Sequence, residues 1–149
     1  MLEKISKDFV IDHRTRHVEG LPPLSHSHQF NEIYFLQSGK CHVYIENEKY
    51  TLEDGSVLFI PAFKEHTFVY YDTVDVKRTV LYISTEQLNW YFDDIFKEEI
   101  DNLFINRHIK LSRKSFSNLS SLFEKIQFEK YNIDNLSAPL TKAYFFEMI

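Results

Sequence analysis

Cysteine, glycine and proline are scarce, with one, three and four residues in a chain of 149, and each shortage closes off a class of protein. A single thiol, Cys41, excludes an internal disulfide and fits a reducing compartment. Three glycines are too few for a glycine-rich phosphate loop, and no nucleophile constellation presents itself around Cys41. No apolar run approaches the ~18 residues of a spanning helix. The first eight residues mix charges without an apolar stretch. The expectation is a soluble cytoplasmic protein with no membrane partner. Basic residues are outnumbered, 17 Lys and Arg against 22 Asp and Glu, giving a net charge of −5. A segment so charged has no general attraction to a phosphate backbone and is not expected to bind DNA by itself.

Aromatic residues are abundant instead, fourteen Phe and nine Tyr. On short strands such side chains fill a core or line a cavity. By length the chain is one domain, large enough for a substantial core.

Residues 1–84 read as strands separated by turns, and residues 85–149 read mainly as helices, an α+β layout in order of sequence. Cys41, Val43 and Ile45 alternate with His42, Tyr44 and Glu46; a turn at Asn47-Glu48 then leads into Lys49-Tyr50-Thr51-Leu52, a hairpin pattern. Gly55 closes a second turn before a short apolar strand, Ser56 to Ile60, that Pro61 stops. Lys77 to Ile83 is a further strand, and strands this close together predict a sandwich or barrel. Thr85 is placed to cap a helix running to about Phe96, and Asn106 to Leu111 reads as an edge strand. Ser112 caps a longer helix in which Phe116, Leu119, Phe123 and Ile126 form one apolar stripe. Ser137 and Pro139 suggest one more helix start. The final segment, rich in Tyr144, Phe145, Phe146, Met148 and Ile149, stops without a C-cap signal, so the chain reads as the N-terminal piece of a longer polypeptide.

One run concentrates the chemistry: Gly20, five residues, His26, one residue, His28, three residues, Glu32, six residues, Gly39. If residues 26–36 are one extended strand, His26, His28 and Glu32 share its face, with the two His Cα atoms about 6.6 Å apart. The spacing resembles the first motif of the cupin superfamily, small double-sheet barrels in which those His, His and Glu residues hold a metal. Gly55, five residues, Pro61 and then His66 resemble the second motif. Two positions depart from it, Phe63 where the family has glycine and Tyr70 where it has asparagine.

The barrel motifs, the phrases Glu32 to Gly39 and Tyr50 to Pro61, and the helical tail together resemble the effector-binding and dimerisation domain of AraC-type transcription regulators, over roughly residues 10 to 149. The resemblance implies a mainly β, cupin-like jelly roll over residues 1–111, with an N-terminal arm at residues 1–12, and a helical dimerisation segment over residues 112–149. It further implies a small effector in the barrel, with a sugar the common expectation, a homodimer, and DNA contact only through a C-terminal domain with two helix-turn-helix motifs, absent from this chain.

Three readings are open for His26, His28, Glu32 and His66: contact with an effector, ligation of a divalent transition metal such as Zn, Ni, Mn or Fe, or internal hydrogen bonding alone. Tyr34 and Tyr82 are added as candidate effector contacts, and Tyr44 as a residue whose face parity alone does not decide. Leu119, Leu122, Phe123, Ile126, Tyr144 and Phe145 are candidates for the dimer contact, with packing on the chain's own barrel as the other reading. His13, His17, His42 and His108 are read as exposed or half-exposed residues. An alternative overall reading is a metal-dependent cupin dioxygenase or isomerase.

Overall fold

The structure, a computed structural model, describes residues 9–16, 25–26, 29–71, 74–91, 97–131, 140 and 144. In chain order the elements are β1 (Phe9–Arg16), β2 (Ser25–His26), β3 (Asn31–Ser38), β4 (Lys40–Ile45), β5 (Glu48–Glu53), β6 (Ser56–Ile60), β7 (His66–Tyr70), β8 (Val76–Ile83), α1 (Thr85–Tyr91), α2 (Lys97–Asn106), β9 (His108–Lys110) and α3 (Arg113–Tyr131). The strands form two antiparallel sheets, a larger one ordered β1-β8-β3-β6-β9 and a smaller one ordered β2-β7-β4-β5. This is a cupin-like jelly roll followed by helices, as expected.

Alternation sorts the residues of the larger sheet into two cores. Ile33, Phe35, Val57, Phe59, Leu81 and Ile83 face outward, where Leu88, Tyr91, Ile100, Leu119, Phe123 and Ile126 of the three helices cover them. Phe35 meets Phe116 edge-on at 5.0 Å and stacks on Phe123 at 6.2 Å, and Phe59 meets Phe104 at 5.5 Å. Tyr34, Leu36, Leu58, Ile60, Val76 and Val80 face inward, against Cys41, Val43, Ile45 and Leu52 of the smaller sheet.

Several local expectations shift. The β4–β5 hairpin turns at Glu46-Asn47, one residue earlier than expected, because Ile45 pairs with Glu48. The cap of α1 is Ser84, whose Oγ accepts the Gln87 N–H at 3.1 Å, while Thr85 already lies in the helix and its Oγ1 accepts from Asn31. Ser112 caps α3 as read, its Oγ accepting the Ser115 N–H at 3.2 Å. The end of the helix expected to reach Phe96, and all but Leu140 and Tyr144 of the last helix, lie outside the described residues. Residues 9–12 of the expected arm are sheet, since β1 pairs with β8 from Phe9↔Ile83 onward.

The shortage of glycine shows in the backbone. Gly39, at φ 113°, is irreplaceable by contact, because a Cβ there would lie 2.5 Å from the Asp75 carbonyl oxygen. Three other left-handed positions are held by Glu46, Phe63 and Arg107, residues that pay a steric penalty for that conformation.

Candidate functional site

Expecting one strand from residue 26 to residue 36 is incorrect. The chain bends at residues 29–30, so that His26 belongs to β2 in the smaller sheet and Glu32 to β3 in the larger one. Within the described part of the motif, the backbone of His26 pairs with that of His66, and His66 reaches across the sandwich to Glu32. His28 lies outside the described residues, as does the side chain of His26.

Glu32 and His66 are almost wholly buried, at 1 % exposure each, and His66 Nε2 lies 2.7 Å from Glu32 Oε2. The other ring nitrogen, Nδ1, donates to the Lys64 carbonyl oxygen at 2.9 Å, which fixes the ring's orientation. Burial alone would lower the His66 pKa, but the hydrogen bond to Glu32, the bond to the Lys64 carbonyl and the charge of Glu32 outweigh it, and the net shift is upward. A buried carboxylate is thus matched by an imidazole held toward its charged form.

Tyr34 and Tyr82 both face inward, resolving the question of parity, whereas Tyr44 is on the outer face of the smaller sheet, 39 % exposed beneath the Lys49 ammonium. The Tyr34 hydroxyl pairs with that of Tyr70 at 3.3 Å, and its ring lies 4.8 Å from Phe68. Tyr70, the departure from the second motif, therefore supplies a hydroxyl to the interior. Burial, then the neighbouring Tyr70 and Cys41, drive the Tyr34 pKa well up, and burial carries Tyr82 to about 12, so both phenols are donors at neutral pH. Burial likewise pushes the Cys41 thiol up to about 12, which makes it a core residue rather than a nucleophile. Tyr50, Phe68, Tyr70 and Tyr82 are only partly buried although they pack on the interior cluster.

Sequence reasoning missed Arg78 and Asp12. Arg78 is 6 % exposed on the same face of β8 as Val76, Val80 and Tyr82, and it bonds to Asp12 on β1. The alternation of Val76, Arg78, Val80 and Tyr82 was the available signal, but Thr79, Leu81 and Ile83 make the opposite face equally apolar.

The other described histidines are exposed or half-buried, as expected, and each makes a hydrogen bond. His13 Nδ1 bonds Thr79 Oγ1 at 2.6 Å, His42 lies between Thr51 and Tyr71, and His108 bonds Ser56 Oγ at 3.1 Å; His17 lies outside the described residues. Of the residues expected at a dimer contact, Leu119, Leu122, Phe123 and Ile126 are buried within the chain. Tyr144 is partly buried with the Lys125 ammonium 5.6 Å from its ring, and Phe145 is outside the described residues. Phe128, 61 % exposed, is the outward apolar residue of α3.

Among the described residues no group of three or more His, Cys, Asp or Glu side chains is gathered to hold a metal. Glu32 and His66 offer two donors, and the Lys64 carbonyl orients the His66 ring in the way that ligating imidazoles are commonly oriented.

Residues 16–82 match the family model of the Cupin domain, in agreement with the fold. Over 145 residues, 97 % of this chain, the sequence is 25 % identical to the HTH-type transcriptional activator RhaR of Mannheimia succiniciproducens. The chain spans about half of that relative, 51 % of its length. Among solved structures it is similar to a cupin protein from Bacteroides fragilis, with a TM-score of 0.47 at 23 % identity over 53 % of this chain and 68 % of that one. It is also similar to the DMSP lyase DddQ of Ruegeria pomeroyi, with a TM-score of 0.47 at 24 % identity over 52 % and 39 % of the two chains. Among the described residues no helix is long and apolar enough to cross a membrane.

Proposed function

We propose that this chain is the ligand-sensing and dimerisation domain of an AraC-type transcriptional regulator, not an enzyme, and that a small effector binds inside its barrel. The observation that carries the reading is the match to a transcriptional activator along 97 % of this chain but only 51 % of the relative. A sensing half joined to a separate DNA-reading half fits those shares. The polar groups facing the interior, Glu32, Tyr34, His66 and Tyr82, suit recognition of a small molecule within apolar walls. His26 and His28 complete the proposed contact set. The dimer is assigned to the helical segment after Ser112, with DNA contact in sequence following residue 149.

An effector can shift such a protein between two states only by its difference in affinity for them. The test is a gel-shift titration of the protein encoded by the whole reading frame on its own upstream region, with and without lysate-derived small molecules. A dimeric complex whose affinity responds to a small-molecule fraction is expected. A monomer that retains no DNA would overturn the reading.

A metal-dependent cupin enzyme is the second reading, favoured by the oriented His66 ring beside Glu32. In it Glu32 and His66, with His26 and His28, would hold a divalent transition metal, which would supply Lewis acidity. Elemental analysis of protein purified without chelator separates the two: a stoichiometric transition metal supports this reading, and its absence removes it.

A further inference from the structure

We propose that the Nε edge of Arg78 is an oxyanion-recognition point, and that the molecule taken into the barrel carries a carboxylate or phosphate group. The inference rests on the sensing reading above and adds the chemical class of its ligand.

Arg78 is buried on the inward face of β8, where an unmatched charge is costly. Asp12, one strand away on β1 and displaced by one diagonal step, meets the end of the guanidinium. Its backbone carbonyl oxygen accepts from Nη1 at 3.1 Å and its Oδ2 accepts from Nη2 at 3.2 Å. The side edge is left over: Arg78 Nε is buried and makes no hydrogen bond. Orphaned buried donors are rare in folded proteins, and each calls for a reason.

Charge points the same way. Asp12 Oδ1 also accepts from Arg14 Nε at 3.0 Å, so one carboxylate is shared between two guanidiniums. The cluster therefore retains an excess of positive charge. Glu32, another inward carboxylate, is already matched by His66. Shape narrows the choice further. The Nε–H and the second Nη2–H of a guanidinium form parallel donors that fit two oxygens on one carbon or phosphorus atom. A neutral hydroxyl would satisfy one donor and leave the charge excess in place.

The surroundings are consistent with such a group. The Tyr34 and Tyr82 phenols, kept protonated chiefly by burial, both feel the Arg78 charge and so lie within its electrostatic range. Val10, on the same face of β1 as Asp12 and opposite Tyr82, is 47 % exposed, so solvent reaches this face of β1.

The test follows the Arg78 Nε–H resonance of the isotopically labelled 149-residue chain, assigned by its disappearance in Arg78→Lys. Sodium acetate, sodium phosphate, sodium chloride and neutral galactose are titrated at matched ionic strength to tens of millimolar. A saturable shift with acetate or phosphate, absent with chloride and galactose, is expected, and the stronger of the two identifies the oxyanion. Thermal stabilisation by that anion should weaken in Arg78→Lys, which keeps the charge but not the fork, by at least about tenfold in apparent affinity. No shift with either anion, or an equal shift with chloride, overturns the inference. So does a saturable shift with galactose alone, but that result leaves the sensing reading intact. The gel-shift titration fails or succeeds independently of the anion result.

Discussion

On its outer face the larger sheet presents Ile33, Phe35, Val57, Phe59, Leu81 and Ile83 to three helices; on its inner face the same strands present Glu32, Tyr34, Arg78 and Tyr82 among Leu36, Leu58, Ile60 and Val80. The outer layer can be optimised for packing alone, and its rings interdigitate at 5.0 to 6.2 Å. The inner layer keeps ionisable groups where burial penalises them, which is an inefficient way to stabilise a fold and an effective way to fix a ligand's orientation. One strand thus serves packing through its odd residues and, on the sensing function proposed above, recognition through its even ones.

The sharpest way to break that division is to damage the outer face and look for an effect on binding. Phe35, fully buried between Phe116 and Phe123, loses both ring contacts in Phe35→Ala. The expected cost is about 3–5 kcal/mol in denaturant unfolding. Ligand affinity should be unchanged in whatever fraction remains folded, and a changed affinity would show that the two faces are coupled.

Damage to the inner face should behave differently. Glu32→Leu leaves His66 buried without its carboxylate and is expected to cost about 3 kcal/mol, toward the low end for a broken buried pair because the imidazole can shed its proton. The double change Glu32→Leu with His66→Leu removes both charges, and its stability should recover to near or above that of the parent. Binding should be lost in both variants. A double variant as unstable as the single one would mean that the pair stabilises the fold more than apolar side chains of similar volume do.

The same pair gives a smaller, pH-dependent signature. The His66 pKa is higher in the folded chain than its ordinary 6.5, through Glu32 and the Lys64 carbonyl acting against burial. The folded state then binds the proton more tightly than the unfolded state, so this stabilisation is fully present below 6.5 and fades as pH rises through the raised folded value. Unfolding midpoints of the parent and the double leucine variant, compared from about pH 5 to pH 9, should therefore differ most in the parent's favour at the acidic end. A gap that widens with rising pH would contradict the assignment.

Much of the outer layer was readable in advance. The stripe Phe116, Leu119, Phe123 and Ile126 lies on the sheet, Ser112 caps α3, and Ser56–Ile60 is a strand. These features are local, set by periodicity and capping. The inner layer was readable only in part. Glu32 and His66 were named from motif spacing, but their contact depends on the chain changing sheets between residues 26 and 31, and strand parity carries no information about that. Arg78 and Asp12 meet only through the β1–β8 register, 66 residues apart in sequence. Tyr34 and Tyr82 could not be sorted because β3 and β8 are buried on both faces, which removes the polar alternation that would have marked an inside. Tyr44 lies on β4, where Cys41, Val43 and Ile45 are buried and the alternation does mark its face as the outer one.

The rim between the faces offers the mildest perturbation. Phe63, in the loop from β6 to the strand bearing His66, occupies the motif position where the cupin pattern has glycine. Its φ is 66° and it is 75 % exposed, so the backbone keeps a conformation suited to glycine while the ring contributes little to either core. A left-handed non-glycine residue costs about 1–2 kcal/mol, and glycine returns about 0.5–1 kcal/mol of that through its greater unfolded-state entropy. Phe63→Gly should therefore raise stability by up to about 1.5 kcal/mol, read as a higher denaturation midpoint with an unchanged m-value. If ligand affinity stays constant, the strain is incidental to the site. If stability rises while affinity falls, the exposed ring belongs to the binding surface, and the recognition layer extends from the inner face of the sheet onto the rim.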